Sequence, residues 1–115
     1  MARVKYGRHL PAFILLFLAE EPSYGLRLLN KMAEQMPRIN ADSAAIYRAL
    51  QELEQSNAVE SYWDTSEPGP AKKWYKITDA GFSILAEFKK DIELRKQNLD
   101  YFLSNYAEKI GKGRR

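Results

Sequence analysis

The stretch VESYWDTSEPGPAKKWYKITDAG, residues 59–81, decides the fold. Two runs rich in β-branched and aromatic residues, Val59–Trp63 and Lys73–Thr78, predict two short strands. Pro68-Gly69-Pro70 lies between them and is typical of a turn, because helices and strands tolerate proline poorly. Thr78 or Asp79 can then cap a helix. The stretch therefore predicts a β-hairpin that leads directly into a final helix.

Alternation along the two strands predicts which side chains share a face. Val59, Ser61 and Trp63 should share one face of the first strand. Lys73, Tyr75 and Ile77 should share one face of the second strand, with Trp74 and Lys76 opposite. The lysine-rich second strand has three interpretations at this stage: a solvated hairpin, chance clustering in a basic protein, or a wing that contacts nucleic-acid phosphates.

Three helices are predicted before the hairpin. Residues Leu10–Glu20 are apolar nearly all round, so this helix must be covered on more than one side. Ser23 is the predicted N-cap of a second helix that ends near Met36. Its apolar residues at helical spacing are Leu26, Leu29 and Met32. A third helix begins near Asp42 or Ser43 and ends near Ser56, and Asn57 can take the left-handed position that follows it.

The order of elements predicts a mainly α fold with a small β-hairpin (α+β). This is a winged helix-turn-helix with a long C-terminal helix attached.

The third helix has a buried stripe and a polar outer face. The stripe holds Ile46, Leu50, Leu53 and Asn57, and the outer face holds Ala44, Arg48, Gln51 and Gln55, with Tyr47 at its flank. Glu52 and Glu54 point to the two margins. Arginine can hydrogen-bond guanine and glutamine can hydrogen-bond adenine, so this face suits the major groove. An ordinary solvated face remains the alternative.

The C-terminal helix carries a heptad seam with one polar exception, Arg95. The seam residues are Leu85, Phe88, Ile92, Leu99, Phe102 and Tyr106. A helix of about 30 residues spans roughly 45 Å. We expect the small domain to cover its first turns through Phe82, and a second copy of the chain to cover the rest. The alternative is a helix that folds back on its own domain.

Composition narrows the function classes. The chain has 115 residues, a net charge of +3, one histidine and no cysteine, which excludes disulfides and thiolate sites. No nucleophile and base pair and no glycine-rich phosphate loop stand out, so we expect no enzymatic activity, no metal and no cofactor. The longest apolar run, ten residues from Leu10, is too short to span a bilayer. We therefore expect a cytoplasmic protein.

Charge is distributed unevenly. Basic residues concentrate in an N-terminal arm (Arg3, Lys5, Arg8), in the hairpin and in the last five residues. Residues 42–64 hold five acids against one arginine, a net charge of −4. This acidic middle opposes nucleic-acid binding unless its acids face away from the ligand.

Three blocks resemble the PadR family of bacterial transcriptional regulators. "PSYGLRLL" (Pro22–Leu29) is similar to the family's Pro-x-His-Gly-Tyr-x-Ile block, with Gly25 matching. "IYRALQELEQSNAVES" (Ile46–Ser61) is similar to its Leu-Tyr-Pro-Ala-Leu-x-x-Leu-Glu-x-x-Gly-Leu-Val-Glu recognition-helix block. "GPAKKWYKITDAG" (Gly69–Gly81) is similar to its Gly-Pro-x-Arg-Lys-Tyr-Tyr-x-Leu-Thr-x-x-Gly wing block. The single terminal helix resembles the family's short subgroup.

The resemblance implies a homodimeric regulator of a double-stranded DNA operator, most often a repressor. In some members a flat aromatic molecule binds near the dimer interface as an effector. The third helix would enter the major groove with Ser43, Ala44, Tyr47, Arg48 and Gln51. The wing and arm would contact phosphates through Lys72, Lys73, Lys76, Arg3, Lys5 and Arg8. The heptad seam would form the dimer interface. Departures from the family pattern, such as Arg48 for its proline, mean that no operator sequence is inherited.

The expected organisation follows from these assignments. Residues 1–79 would form the DNA-binding domain with its arm, 80–110 the dimerisation helix, and 111–115 a basic tail. A second hypothesis stays open at this point: a winged-helix module for protein interaction that does not bind DNA, which the acidic middle would suit.

Overall fold

The computed structural model of the chain describes residues 9–36 and 41–111. In that part of the chain, the order of elements is α1 (Leu10–Glu20), β1 (Ser23–Tyr24), α2 (Gly25–Gln35), α3 (Ser43–Gln55), β2 (Val59–Asp64), β3 (Lys72–Ile77) and α4 (Asp79–Tyr106), followed by a π-helical segment, Ala107–Gly111. Three helices, a hairpin and a final helix confirm the α+β winged-helix prediction. The structure adds one strand that the sequence did not reveal.

The added strand, β1, corrects the predicted start of the second helix. Ser23 is not an N-cap: it is buried and extended, and it pairs with Tyr75 of β3, while Tyr24 pairs with Trp74. The helix α2 begins at Gly25, one residue later than a cap at Ser23 would place it, and no side chain caps it. Pairing of this two-residue strand with β3 keeps the chain extended there. The sheet order is β1-β3-β2.

The hairpin has the predicted faces. Val59 pairs with Ile77, Ser61 with Tyr75 and Trp63 with Lys73, so these residues share one side of the sheet. That side meets the core at its base, where Val59 and Tyr75 are buried. Toward the tip the same side reaches solvent, and Trp63 is 64% exposed.

The core lies among α1, α2, α3 and the base of the hairpin. The helix α1 is buried on several sides, as predicted, and only Leu16 among its large apolar residues is exposed. The most deeply buried large side chains are Ile14, Leu15, Leu28, Met32, Ile46, Leu50 and Val59. In α2 the interpretation of the apolar spacing was partly wrong, because Leu28 is buried whereas Leu26 is 55% exposed.

The end of α3 is fixed by a backbone motif. Asn57 has a φ of 64°, in the left-handed region, as predicted. Its N–H donates to the carbonyl of Glu54 (3.0 Å), and the next N–H, of Ala58, donates to the carbonyl of Leu53 (2.9 Å). This pair of bonds is a Schellman motif, and it turns the chain from α3 into β2.

Replacing Asn57 with alanine should lower the free energy of unfolding by about 1 kcal/mol, because the left-handed conformation is unfavourable for a residue with a Cβ and asparagine tolerates it better. Replacing Asn57 with glycine should keep or raise that free energy. Urea unfolding of both variants at one protein concentration checks the prediction. Equal stability of the two variants would show that the left-handed backbone does not matter here.

Contacts between residues divide the chain into two compact units, residues 1–85 and 86–115. The helix α4 starts in the first unit, where Thr78 is its N-cap: the Thr78 hydroxyl oxygen accepts from the N–H of Gly81 at 3.0 Å. Gly81 is the buried residue of α4. Phe82, which was expected to cover the first turn, is 48% exposed. The first turn of α4 therefore contacts the first unit through Gly81. Only glycine fits there, because a Cβ would collide with the carbonyl oxygen of Ala58.

Candidate nucleic-acid interface

The outer face of α3 is open to solvent. The helix begins at a good cap, since the Asp42 carboxylate accepts from the N–H of Ala45 at 2.9 Å. All five residues predicted for the major groove are exposed on this helix: Ser43, Ala44, Tyr47, Arg48 and Gln51. The apolar stripe of the same helix faces the core, apart from Asn57, which lies beyond the helix end and is exposed. The structure thus brings the predicted groove residues together on one accessible surface.

The Tyr47 ring lies against the start of α2. A Cβ built on Gly25 would lie 2.5 Å from Tyr47 Cζ and 2.6 Å from Tyr47 Oη, so any side chain there would force the ring to shift. The ring therefore rests directly on the glycine, and half of the tyrosine remains exposed. The sequence marked Gly25 only as a match to a family block. Its physical role is to leave room for the exposed tyrosine of α3.

The acids of residues 42–64 mostly face the hairpin lysines. Glu54 accepts a hydrogen bond from the Ser61 hydroxyl (2.6 Å), and Lys73 Nζ lies 3.5 Å from its other carboxylate oxygen. Lys76 Nζ lies 3.6 Å from Glu60. The acidic segment therefore does not place an uncompensated carboxylate at the centre of the α3 face.

Lys72, the third predicted wing lysine, also has partners in its own chain. Its Nζ lies 5.6 Å from the centre of the Tyr24 ring. Asp64 stands opposite it across the hairpin. Hydrogen bonds from Ser66, first from its backbone N–H and then from its side chain, lower the pKa of Asp64, and the charge of Lys72 adds to this effect. Such pairings depend on strand register, and charge counting along the sequence missed them.

The outer side of the sheet carries an aromatic cluster around Trp74. The Tyr24 ring meets the indole edge-on at 5.0 Å, and the Tyr62 ring stacks on it at 6.5 Å. The Arg27 guanidinium lies 5.9 Å from the indole. The indole N–H is buried and has no hydrogen-bond partner among the described residues. This cluster covers the side of β3 that faces away from α3.

The heptad seam lies on α4, and all of its residues after Leu85 belong to the second unit. Leu99, Phe102 and Tyr106 are between 54% and 63% exposed. Leu85, Phe88 and Ile92 are half-buried. The rings of Phe102 and Tyr106 stack at 6.1 Å. Arg95, the polar residue within the seam, donates to Asp91 of its own helix at 3.0 Å.

Some predicted residues lie outside the described part of the chain. Arg3, Lys5 and Arg8 of the arm belong to this group, and so do residues 112–115 of the tail. Within residues 9–36 and 41–111, no cluster of acids and histidines could hold a metal ion. Over the same ranges, none of the helices combines the length and the apolar character that crossing a bilayer requires.

Solved structures share this fold along most of their length. A protein called TM0937, described as a potential transcriptional factor, is 32% identical with a TM-score of 0.77, and the match covers 94% of this chain and 96% of that one. A structure described as a putative transcriptional regulator, TA0346 of Thermoplasma acidophilum, is 29% identical with a TM-score of 0.73. That match covers 82% of this chain and 89% of the other. A transcriptional regulator from Clostridium thermocellum shares the fold at 22% identity, with a TM-score of 0.76 and coverage of 86% and 95%.

Sequence comparisons agree with the structural ones. An uncharacterized protein of Lysinibacillus sphaericus is 27% identical over 96 residues, which cover 83% of this chain and 88% of that protein. The family model described as "Transcriptional regulator PadR-like family" matches residues 14–87, which extend from within α1 to the first turns of α4 and include the whole sheet and α3. Members of this family are DNA-binding regulators without enzymatic activity, so the match favours a regulator over a protein-interaction module. The chain belongs to the PadR-like family of transcriptional regulators.

Proposed function

We propose that the protein is a homodimeric, sequence-specific repressor that reads a palindromic DNA operator. The observation that supports this proposal is the exposed α3 face, with Tyr47, Arg48 and Gln51 side by side and no unpaired acid at its centre. A monomer with one such helix would read only a short half-site. Two copies joined by a seam of exposed apolar residues would read two half-sites at once.

Each residue of the α3 face has a role in this proposal. Arg48 and Gln51 read base edges, because the guanidinium can bind guanine and the amide can bind adenine in two-bond arrangements. Tyr47, fixed against Gly25, sets how deeply the helix enters the groove. Ser43 and Ala44 lie at the start of the helix, where a hydroxyl and a small side chain allow close approach to the DNA backbone.

The wing and arm supply phosphate contacts in this proposal. Lys72, Lys73 and Lys76 are at the hairpin, and Arg3, Lys5 and Arg8 are in the arm. Lys73 and Lys76 are paired with carboxylates on the surface, at 3.5 and 3.6 Å. Exposed pairs of this kind contribute only about 0–1 kcal/mol, so a lysine can exchange its carboxylate for a phosphate at little cost.

The helix α4 provides the dimer interface in this proposal. Its seam residues are Leu85, Phe88, Ile92, Leu99, Phe102 and Tyr106. The C-terminal half of the seam, Leu99, Phe102 and Tyr106, is more than 50% exposed and so needs a partner. A second copy of the same seam is the simplest one. Residues 1–79 would then form the DNA-binding domain and 80–110 the dimerisation helix. A small aromatic effector bound near the interface would relieve repression, and the protein would act in the cytoplasm.

Selection of bound duplexes from a random DNA pool tests the proposal. The selected sequences should contain two inverted half-sites whose centres are about one helical turn apart, roughly 10 base pairs. A gel shift with bulk DNA at low salt should also show binding at micromolar protein. Enrichment of single, unpaired half-sites would contradict the dimer, and absence of any binding would contradict the DNA-binding assignment.

Replacing Lys73 and Arg48 with alanine should have different effects. Lys73→Ala removes a phosphate contact, so the slope of log affinity against log salt should decrease by roughly 0.9 on any duplex. Arg48→Ala removes a base contact, so preference for the selected operator should fall by about 1–3 kcal/mol. Fluorescence anisotropy with selected and random duplexes over a range of salt measures both.

A matched control for that pair is Lys89→Ala. Lys89 is an exposed lysine that also pairs with a carboxylate, Glu93 at 2.9 Å, but it lies on α4 and outside the wing. Its replacement should leave the salt slope unchanged. Identical behaviour of Lys73→Ala and Arg48→Ala on both duplexes would refute the division of roles between the wing and the recognition helix.

A further inference from the structure

A groove of about 430 Å³ runs between the start of α2, the flank of α3 and the tip half of the hairpin. Its apolar wall is formed by Leu26, Tyr47, Trp63 and Tyr75. Lys72 and Lys73 also line it. Two exposed side chains of this wall, Leu26 at 55% and Trp63 at 64%, have no function in the fold or in the roles proposed above.

The charges around this groove favour an anionic occupant with an apolar part. None of the described residues that line it is acidic, and two are lysines. A neighbouring groove of about 420 Å³ shares Tyr47, Lys73 and Tyr75 with it but contains Glu54. A phosphate is therefore favoured on the Trp63 side of Lys73 and disfavoured on the Glu54 side.

The groove is continuous with the proposed DNA-binding face, because Tyr47 belongs to both. A duplex whose major groove accepts α3 must pass one strand of its backbone between that helix and the hairpin. The backbone repeats an apolar deoxyribose and a charged phosphate, which matches a wall of Leu26 and Trp63 beside two lysines.

We propose that this groove seats one sugar–phosphate unit of the DNA backbone, with the Trp63 indole and Leu26 packed on the deoxyribose and Lys73 on the phosphate. This inference rests on the proposed DNA-binding function and assigns Trp63 a positioning role in it. Contact with a sugar is apolar and independent of base sequence. Trp63 therefore contributes affinity that neither salt nor sequence changes.

Fluorescence of the indole itself tests the contact without altering Trp63. The chain has two tryptophans, so Trp74→Phe leaves Trp63 as the single reporter. This replacement keeps an aromatic ring between Tyr24 and Tyr62 and removes an N–H that has no partner among the described residues. Quenching of Trp63 by acrylamide should fall about twofold when a random 30-base-pair duplex binds at low salt, because the indole loses contact with water.

Binding measurements provide the second test. Trp63→Ala should weaken binding to random and to selected duplexes by the same factor, about tenfold, at every salt concentration, so that the plots of log affinity against log salt stay parallel. The matched control is Tyr62→Ala, because Tyr62 neighbours Trp63 on the same strand, is 42% exposed and faces the other side of the sheet. It should change affinity by less than about twofold.

The outcomes separate this inference from the proposed function. If the wild-type chain binds DNA but Trp63 stays equally open to acrylamide, or if Trp63→Ala changes only the preference for the selected sequence, the backbone seat is wrong and the DNA-binding function stands. If the wild-type chain binds neither duplex, both are wrong. The proposed contact between Trp63 and the DNA backbone is supported if DNA lowers the quenching of Trp63 and if Trp63→Ala lowers affinity for both duplexes by the same factor at every salt concentration.

Discussion

Replacing Leu99 and Phe102 together with glutamate should convert a dimer into monomers and weaken binding to an operator with two half-sites by about 10²- to 10⁴-fold. These side chains are 63% and 62% exposed in the single chain, so the substitution removes little from the fold itself. In a dimer they would lie in the seam, where four buried carboxylates could not be tolerated. A monomer would place one recognition helix on one half-site. It would lose the high effective concentration with which a dimer's second helix binds the second half-site.

Sedimentation and anisotropy on the selected operator measure the two parts of this prediction. Leu94→Glu is the matched control, because Leu94 is 60% exposed on the same helix but lies off the heptad seam. It should leave both the dimer and the affinity unchanged. If instead Leu94→Glu separated the subunits while the seam variant remained dimeric, the interface would lie on the other face of α4.

Replacing Gly81 with alanine should lower the free energy of unfolding by roughly 2–3 kcal/mol. A Cβ at this position would collide with the carbonyl oxygen of Ala58 and would lie 2.6 Å from Cγ1 of Ile77. The collision is mainly with backbone, which cannot move aside without disturbing the Schellman motif and the Thr78 cap. The hydroxyl of Thr78 donates to the carbonyl of Asn57 (2.6 Å) and the N–H of Thr78 donates to the carbonyl of Ala58 (3.0 Å), so the same residue organises both helix ends.

Whether Gly81→Ala lowers or raises the free energy of unfolding shows whether the glycine is needed for close contact. In an open helix, replacing glycine with alanine stabilises by about 1 kcal/mol, because alanine has the higher helix propensity. Gly111→Ala is the control, since a Cβ there would meet the Tyr106 carbonyl oxygen at an ordinary 3.9 Å. Guanidinium unfolding should show Gly81→Ala less stable than wild type and Gly111→Ala at least as stable. Stabilisation by Gly81→Ala would mean that α4 does not rest on Ala58.

Local signals explain why much of the fold could be predicted from the sequence. Asp42 caps α3, Asn57 ends it in a left-handed turn and Thr78 starts α4, each by short-range hydrogen bonds that leave a residue preference in the sequence. The alternation in β2 and β3 fixed the hairpin faces, because the strand period is two. The outer face of α3 followed from the helical period in the same way.

The features that were missed depend on contacts distant in sequence. A strand of two residues, Ser23–Tyr24, has no periodicity to detect, and only its pairing with β3 defines it. The choice of Leu28 over Leu26 for the core depends on where α2 begins, which that pairing sets. The lysine–carboxylate pairs, Lys76 with Glu60 across the hairpin and Lys73 with Glu54 of α3, depend on strand register and on how α3 packs on the sheet. The exposure of Trp63 follows from how far the core extends along β2.

Those lysine–carboxylate pairs bear on how the protein searches a chromosome. A regulator must leave millions of wrong sites before it finds its own, and the time lost at each depends on charge attraction to any duplex. Lys73 and Lys76 already face Glu54 and Glu60 at 3.5 and 3.6 Å, so in the proposed complex each exchanges one weak partner for another and gains less from random DNA than an unpaired lysine would gain. The residence time of the protein on each non-specific site should therefore be short. It should reach its operator sooner than a protein whose wing lysines have no carboxylate partners.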